Sequence, residues 1–329
     1  MVKAISLLSG GLDSILATKL VMDQGIDVFA VNFLTIFCTC SRGCKNCLSS
    51  KSAADKLGIP LKVFEISKEF MEIVKKPKYG YGSGLNPCID CRIFMFKKAG
   101  KYMEEKGAKF LITGEVLGER PMSQTKRALK IIEEETGLKG LILRPLSAKL
   151  LEPTIPEKEG WVDRDKFLAI EGRSRKPQIE LAKKLGIDEY PQPAGGCLLT
   201  DPAFSNRMKD LMKYNPDFTL EDVKLLRLGR HFRLSPEAKL IVGRDEKENN
   251  QLSNLVKEED VLFQPLNGRG PLGIGKGIFN EELIQLSSSI IARYCDENLN
   301  QVEILCKKGN SFKVLVNPAK EELILKLRI

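Results

Sequence analysis

The chain has 329 residues, of which 43% are hydrophobic and 29% charged, as is typical of a soluble globular protein with room for two domains. No apolar run approaches the length of a membrane-spanning helix, and the first predicted strand begins at residue 3, so we expect a cytoplasmic protein without a membrane partner. A net charge of +9 favours a polyanionic partner such as RNA, and the single histidine, His231, argues against His-based triads and His-rich metal sites.

The first predicted elements are a buried strand over 3–8 and an amphipathic helix over 13–22. The turn between them is Ser9-Gly10-Gly11-Leu12-Asp13-Ser14. Its two glycines allow a tight curl with outward-pointing amides, and the helix start favours an anion. Ser9 and Ser14 add hydroxyl donors, and Asp13 could hold a phosphate-bound metal ion. The turn therefore predicts a phosphate-binding site, with a plain strand-to-helix turn as the alternative.

Strands and helices then alternate up to about residue 205. The predicted strands are 26–33, 61–64, 109–113 and 141–144, and the predicted helices are 49–57, 70–75, 89–106 and 176–185. This alternation predicts an α/β fold with a Rossmann-like parallel sheet. Ligands of such sheets bind beyond the carboxyl ends of the strands. We therefore expect the 9–14 turn, the cysteines after Phe33 and the Thr113-Gly114 turn at one edge.

The chain changes character near residue 205, which predicts domains at 1–205 and 206–329. The second begins with helices over 206–225, continues with strands at 239–242, 302–305 and 312–316, and is predicted to be α+β. Residues 270–277 nearly spell the phosphate loop GxxxxGK[ST] but lack its Ser/Thr and a preceding strand. We therefore interpret this stretch as a loop whose Lys276 and Arg269 contact phosphate, and not as a second nucleotide site.

Nine cysteines in a cytoplasmic chain indicate metal or redox chemistry before structural disulfides. Cys88 and Cys91 form a CxxC, and Cys197 follows Gly195-Gly196, which allows close backbone approach. Together these three would suit an iron–sulfur cluster with one free iron, or a nucleophilic cysteine with a resolving partner. Three inert buried thiols remain the alternative.

The motifs SGGLDS, LNPCIDC (85–91), Thr113-Gly114 and Gly195-Gly196-Cys197 together resemble the tRNA-thiolating ATP pyrophosphatases, whose fold is adenine nucleotide alpha hydrolase-like. The resemblance implies adenylation of a uridine carbonyl and replacement of its oxygen by sulfur. It also implies that ATP and Mg²⁺ are bound by Ser9, Gly10, Gly11, Asp13, Ser14, Thr113 and Gly114.

The resemblance allows two kinds of sulfur chemistry. In disulfide-type members the catalytic pair corresponds to Cys91 and Cys197, whereas in cluster-type members Cys88, Cys91 and Cys197 would bind a [4Fe-4S] cluster. The presence of all three favours the cluster type, with Asp13, Cys91 and Cys197 as catalytic residues.

The sequence departs from the family pattern after the Thr113-Gly114 turn and after the CxxC. Glu115 stands where related enzymes usually carry a histidine, and only Glu119 represents the acidic residues that follow. Met95 stands where some members have a lysine. These departures leave the general acid/base and the magnesium ligands open.

A second group of cysteines has the spacing C-x-C-x3-C-x2-C and comprises Cys38, Cys40, Cys44 and Cys47. Four thiolates so close in sequence can enclose a tetrahedral ion, which favours zinc, with a second iron–sulfur cluster or sulfur handling by a mobile thiol as the alternatives. Cys295 and Cys306 lie among apolar residues and are predicted to belong to the core.

The second domain is rich in basic residues. Residues 229–233 (GRHFR) and 240–252 resemble the RNA-binding domain of NFACT proteins, and 270–277 resembles its later glycine loop. The resemblance implies tRNA binding through the phosphate backbone. The candidate RNA contacts are Arg230, Arg233, Arg244, Lys247, Arg269 and Lys276.

We therefore expect an ATP-dependent tRNA sulfurtransferase that uses ATP, Mg²⁺ and a [4Fe-4S] cluster, with Zn²⁺ at the second cysteine group. Its expected partners are tRNA and a sulfide or persulfide donor, and a homodimer is compatible with the sequence. The second domain favours 4-thiouridine at position 8. The alternatives are 2-thiouridine synthesis in the anticodon, an amidating enzyme that uses ammonia, and a non-catalytic RNA-binding module.

Overall fold

The computed structural model describes residues 1–39, 49–190, 196–267, 269–296 and 299–329. The described chain forms two compact units, Met1–Thr200 and Asp201–Ile329, whereas the sequence places the boundary near residue 205. The second unit begins with a helix that Asp201 caps, because its side chain accepts a hydrogen bond from the Phe204 amide at 2.7 Å.

The first unit is a five-stranded parallel sheet with helices on both faces, which confirms the predicted Rossmann-like architecture. Its strands are β1 (Lys3–Leu7), β2 (Asp27–Leu34), β3 (Leu61–Glu65), β4 (Phe110–Thr113) and β5 (Ile142–Leu143). Its helices are α1 (Leu12–Met22), α2 (Ser49–Leu57), α3 (Ser67–Lys75), α4 (Cys88–Glu105), α5 (Lys126–Thr136), α6 (Ile155–Lys158) and α7 (Lys176–Lys184).

The strand order β3-β2-β1-β4-β5 makes β1 the central strand. In chain order the sheet first grows to one side of β1 through β2 and β3, and then to the other through β4 and β5. The order reverses between β1 and β4, and a crevice opens at such a switch point beyond the carboxyl ends of the strands. The 9–14 turn follows β1 and the Thr113-Gly114 turn follows β4, so both lie at this crevice.

Alternate residues of β1 serve two hydrophobic cores, one on each face of the sheet. Ala4 packs with Leu16 of α1 and Phe110 of β4, while Ile5 packs with Phe96 of α4 on the other face. All are fully buried. A strand buried on both faces has no solvent-facing side, which is why β1 is mostly apolar, and its buried Ser6 hydroxyl is hydrogen-bonded to Thr18 Oγ1 at 2.6 Å.

The second unit is a six-stranded antiparallel sheet with helices, which confirms the predicted α+β class. It begins with α8 (Pro202–Tyr214) and α9 (Leu220–Leu225). The strands, in the order β11-β10-β8-β9-β7-β6, are β6 (Arg230–Ser235), β7 (Ala238–Val242), β8 (Val261–Pro265), β9 (Gly273–Gly277), β10 (Val302–Lys308) and β11 (Asn310–Val316). The other helices are α10 (Glu246–Ser253), α11 (Glu281–Ala292) and α12 (Glu321–Leu327).

The glycine-rich stretch 270–277 is not wholly a loop, because β9 occupies its second half. A β-carbon at Gly273 would lie 2.4 Å from Ile291 of α11, and one at Gly275 would lie 2.6 Å from the Phe279 ring. These glycines therefore let apolar side chains pack directly on the strand backbone. The prediction of a loop was therefore wrong for 273–277, the part that carries Lys276.

None of the described helices is long and apolar enough to cross a membrane.

Candidate active site

The 9–14 turn is held by its own hydroxyl groups. The Gly11 amide donates to Ser9 Oγ at 3.3 Å, and Ser14 Oγ donates to the Gly11 carbonyl at 2.8 Å. The two hydroxyl oxygens lie 3.2 Å apart. Because α1 begins at Leu12, this turn surrounds the amide end of a helix, where an anion is stabilised.

Two close approaches at glycine fix the turn against its neighbours. Gly10 has a φ of 82°, and a β-carbon there would lie 2.4 Å from the Ser49 carbonyl carbon at the start of α2. On the opposite side, Gly114 packs against the backbone of Asp13 and Ser14. The predicted Thr113-Gly114 element is thus in direct contact with the 9–14 turn, which we call the nucleotide loop.

Several buried polar atoms around Asp13 have no hydrogen bond within the described residues. Its Oδ2 atom is 3.7 Å from Arg175 Nη2, while Oδ1 has no hydrogen bond within the described chain. Gln178 of α7 is fully buried beside it, and neither amide atom of that side chain is hydrogen-bonded in the described residues. Burial raises the pKa of the Asp13 carboxyl, against the opposing charge of Arg175. Unpaired buried polar atoms are costly, so this arrangement suits a phosphate or a metal-bound oxygen.

Arg120 links the nucleotide loop to the thiols. Its charge opposes the rise in pKa that burial causes at Asp13 and Glu119, and also at Cys88 and Cys197. The charge of one guanidinium therefore acts on both the carboxylates and the thiols. A cation in this position would stabilise negative charge that develops between the two groups.

Glu115, which replaces the usual histidine, is 1% exposed and ion-paired. It lies 3.1 Å from Arg144 Nε and 3.4 Å from Arg92 Nε, and Arg144 also binds Glu133 at 2.6 Å. This carboxylate is thus committed to holding two arginines and is a poor candidate for the general acid or base.

The predicted thiols converge because two chain segments are tied together. Cys88 begins α4 and Cys91 follows on the same turn. The Leu85 amide, just before them, donates to the Leu199 carbonyl at 2.9 Å, just after Cys197. Burial raises the pKa of the Cys91 and Cys197 thiols to about 12, and the neighbouring cysteines reinforce the effect.

Cys38, which the sequence analysis assigns to the second cysteine group, also lies beside these three thiols. It pairs with Cys197 in an isolated antiparallel bridge, and its charge contributes to the raised pKa of both Cys91 and Cys197. Its other predicted partners, Cys40, Cys44 and Cys47, lie outside the described residues. We call Cys38, Cys88, Cys91 and Cys197 the thiol site.

The thiol site matches an iron–sulfur cluster in its chemistry. Thiolates are the ligands that such clusters take, and the three predicted ones belong to this site. Within the described part of the chain, however, no three His, Cys, Asp or Glu side chains are arranged to hold a metal ion. The fit therefore rests on the chemistry of the donor set alone.

Several basic residues of the second unit are neutralised within it. Arg233 forms two hydrogen bonds to Asp210, at 3.0 and 2.6 Å, and Arg244 pairs with Glu248. Lys276 lies 2.6 Å from Asp260. These three predicted RNA contacts therefore have structural ion pairs.

The other three predicted RNA contacts, Arg230, Lys247 and Arg269, differ in exposure. Arg230 donates to the Gly243 carbonyl at 3.0 Å and stacks on Tyr294, whereas Lys247 and Arg269 are exposed. His231 is buried with Nε2 2.8 Å from the Leu228 carbonyl oxygen, and burial holds the pKa of its imidazole well below the usual value. It is a core residue.

Sequence reasoning missed Arg120, Arg175, Gln178 and the place of Cys38. Arg175 and Gln178 belong to a basic amphipathic segment that looks like a solvated helix, and no motif marks Arg120. The close spacing of Cys38 to Cys40 concealed its pairing with Cys197, which is distant in sequence.

Two protein-family models match the chain. Residues 1–150 match "Thiamine biosynthesis protein (ThiI)", and residues 229–328 match "NFACT protein RNA binding domain". Both resemblances drawn from the motifs are thereby confirmed, each for its own part of the chain.

Curated relatives match the first domain in part. The tRNA-specific 2-thiouridylase MnmA of Beutenbergia cavernae is 35% identical over 100 residues, which cover 27% of this chain and 26% of the relative. A probable tRNA sulfurtransferase of Thermococcus kodakarensis is 30% identical over 146 residues, covering 44% and 36%. The chain thus spans about a quarter to a third of the length of these relatives.

Two solved structures are also similar. A 4-thiouridine synthetase–RNA complex with bound ATP has 22% identity and a TM-score of 0.38, with 68% of this chain and 52% of that one covered. The U34-tRNA thiolase NcsA from Methanococcus maripaludis, with its [4Fe-4S] cluster, has 17% identity and a TM-score of 0.35, with coverage of 69% and 71%.

Proposed function

We propose that this protein is an ATP-dependent tRNA sulfurtransferase that adenylates a uridine carbonyl and replaces its oxygen with sulfur. The observation that carries the proposal is that the nucleotide loop and the thiol site both lie near enough to Arg120 for its charge to act on Asp13 and on Cys197. A nucleotide site alone would serve many reactions, and thiols alone would serve redox chemistry. Side by side, they suit activation of an oxygen and its displacement by sulfur.

The nucleotide loop would bind ATP through its amides and the hydroxyls of Ser9 and Ser14. Asp13 would hold Mg²⁺, and its unpaired Oδ1 atom is available for that role within the described residues. Arg175 and Arg120 would offset the charge of the phosphates. The uridine oxygen attacks the α-phosphorus, pyrophosphate leaves, and the oxygen becomes part of AMP, a good leaving group.

The thiol site would supply the sulfur. Cys88, Cys91 and Cys197 would hold a [4Fe-4S] cluster, which when bound would present sulfide to the adenylated uridine. The protein's own contribution is to bring two distant segments together through the Leu85–Leu199 hydrogen bond. The sulfur donor would be sulfide or a persulfide, and Cys40, Cys44 and Cys47 remain candidates for Zn²⁺.

The second unit would bind tRNA, which supports a cytoplasmic location. An NFACT-type domain with exposed Lys247 and Arg269 offers backbone contacts that add affinity without base readout. We favour 4-thiouridine at position 8 as the product, over 2-thiouridine in the anticodon.

The test uses anaerobically purified full-length protein with unmodified tRNA, ATP, Mg²⁺ and sulfide. Nucleoside mass spectrometry of the digested tRNA is expected to show 4-thiouridine, and Asp13→Asn and Cys197→Ser are each expected to abolish it. Formation of 2-thiouridine would show that the alternative product, and not 4-thiouridine, is the correct one. Pyrophosphate release that requires ammonia and yields no thiouridine would contradict the proposal.

A further inference from the structure

Cys38 and Cys197 lie directly opposite each other on two antiparallel segments. The flanking residues make the bridging hydrogen bond, from the Leu198 amide to the Phe37 carbonyl at 2.8 Å. The Cys38 amide donates instead to the Thr35 carbonyl at 3.0 Å. The two cysteines are therefore a non-hydrogen-bonded pair, in which opposite side chains share one face and approach closely.

The α-carbon spacing of such a pair is one that a disulfide can span. The α-carbons of a non-hydrogen-bonded antiparallel pair lie about 4.5 Å apart, and disulfides span α-carbon distances of about 4.4–6.8 Å. The Thr35 amide and hydroxyl contact Cys38 Sγ at 3.4 and 3.5 Å, which fixes the position of that sulfur.

We propose that Cys38 and Cys197 form a reversible disulfide that removes the Cys197 thiolate from the set it forms with Cys88 and Cys91. The oxidant is a low-molecular-weight disulfide of the glutathione type. The Cys38 thiolate attacks one of its sulfurs, forms a mixed disulfide and releases one thiol. The Cys197 thiolate then attacks the Cys38 sulfur and expels the second thiol. The two cysteine protons end on the released thiols, and a dithiol reductant reverses both steps.

The consequence for activity rests on the proposed function. Cys197 cannot be both a disulfide partner and a thiolate ligand, so the oxidised protein would lack one of the three cluster ligands. Cys88 and Cys91, which lie on α4, keep their thiols. Oxidation would thus disable the sulfur chemistry while the nucleotide loop stays intact.

The experiment uses full-length, metal-free, reduced protein incubated anaerobically with glutathione disulfide. Free thiols are then alkylated, and the digest is analysed by mass spectrometry before and after reduction. The predominant cross-link is expected to join Cys38 to Cys197 and to disappear with dithiothreitol. A predominant link from Cys197 to Cys91, Cys88 or Cys40, or no link at all, would overturn the proposal.

Matched variants and a second readout separate this inference from the function. Cys91→Ser should retain the Cys38–Cys197 link, and Cys38→Ser should abolish it. After reconstitution with iron and sulfide, oxidised wild-type protein should take up less iron than reduced protein, while Cys38→Ser should take up the same amount in both states. Equal uptake by oxidised and reduced wild-type protein would also contradict the proposal. Failure of the reduced protein to thiolate tRNA would count against the function alone, because the cross-link needs neither ATP nor tRNA.

Discussion

Gly114 approaches Asp13 so closely that a β-carbon at Gly114 would lie 2.5 Å from the Asp13 carbonyl carbon. The obstructing atoms are backbone, so they cannot rotate away as the end of a side chain could. The turn after β4 therefore sets the position of the nucleotide loop, and with it the carboxylate that would hold Mg²⁺.

Gly114→Ala is expected to displace the nucleotide loop and lower tRNA-dependent pyrophosphate release on the order of 100-fold, because small displacements of catalytic groups have effects of that size. Gly100→Ala is the matched control, since its β-carbon would meet only the end of Leu138 at 3.3 Å. That variant should keep its activity. Normal pyrophosphate release by Gly114→Ala would show that the close approach does not position the loop.

Arg120→Gln is expected to lower pyrophosphate release and thiouridine formation together, by roughly 100-fold, because one guanidinium serves both the carboxylates and the thiols. The exposed Arg127 on α5 provides the control, and Arg127→Gln should be unaffected. Initial rates of both products are the measurement. A loss of one product without the other would place Arg120 in only one half of the reaction.

The ionisation of Asp210 makes the stability of the second unit depend on pH. Burial alone would raise the pKa of this carboxyl, but hydrogen bonds from Arg233 and Lys239 lower it below its usual value. The stabilisation that the Asp210 carboxylate contributes is therefore fully present above the pKa of about 4 that it has in the unfolded chain. It is lost as the pH falls through the lower pKa that it has in the folded state.

We expect Asp210→Asn to destabilise the protein by about 3 kcal/mol at pH 7, because it leaves two cations without their buried partner. Lys224→Gln, which breaks an exposed pair with Glu221, should change little. Thermal unfolding followed from pH 7 down to pH 3 is the measurement. If the difference in melting temperature between the wild type and Asp210→Asn does not become smaller in acid, this linkage is refuted.

Lys247 and Arg269 are expected to bind tRNA phosphates more than their ion-paired neighbours do. Replacing both by Gln should weaken tRNA binding and reduce the slope of log K against log salt by about one for each phosphate that is no longer neutralised. Lys276→Gln should instead lower the melting temperature, because Asp260 is 2% exposed at its side chain and would be left without its partner. If Lys276→Gln weakens tRNA binding with no loss of stability, Lys276 contacts RNA and its assignment to a structural ion pair is wrong.

Local sequence signals predicted most of the first unit and part of its site. The apolar run of β1 and the glycines after it marked a strand, a turn and a helix start, and all three are present. The thiols were harder, because the pairing of Cys38 with Cys197 depends on chain segments that meet only after folding. Likewise, Asp210 neutralises Arg233 from a different element, so a basic run in the sequence overstated the cations available to RNA. Gly273 and Gly275 suggested a loop because the side chains that cover them come from α11 and Phe279.

The fate of the uridine oxygen shows whether the carbonyl is adenylated. With tRNA carrying ¹⁸O at the uridine carbonyl, ATP, Mg²⁺ and a sulfur source, we expect the ¹⁸O to appear in the phosphate of AMP, one atom for each thiouridine formed. Recovery of unlabelled AMP, or of ADP and phosphate in its place, would contradict adenylation of the carbonyl.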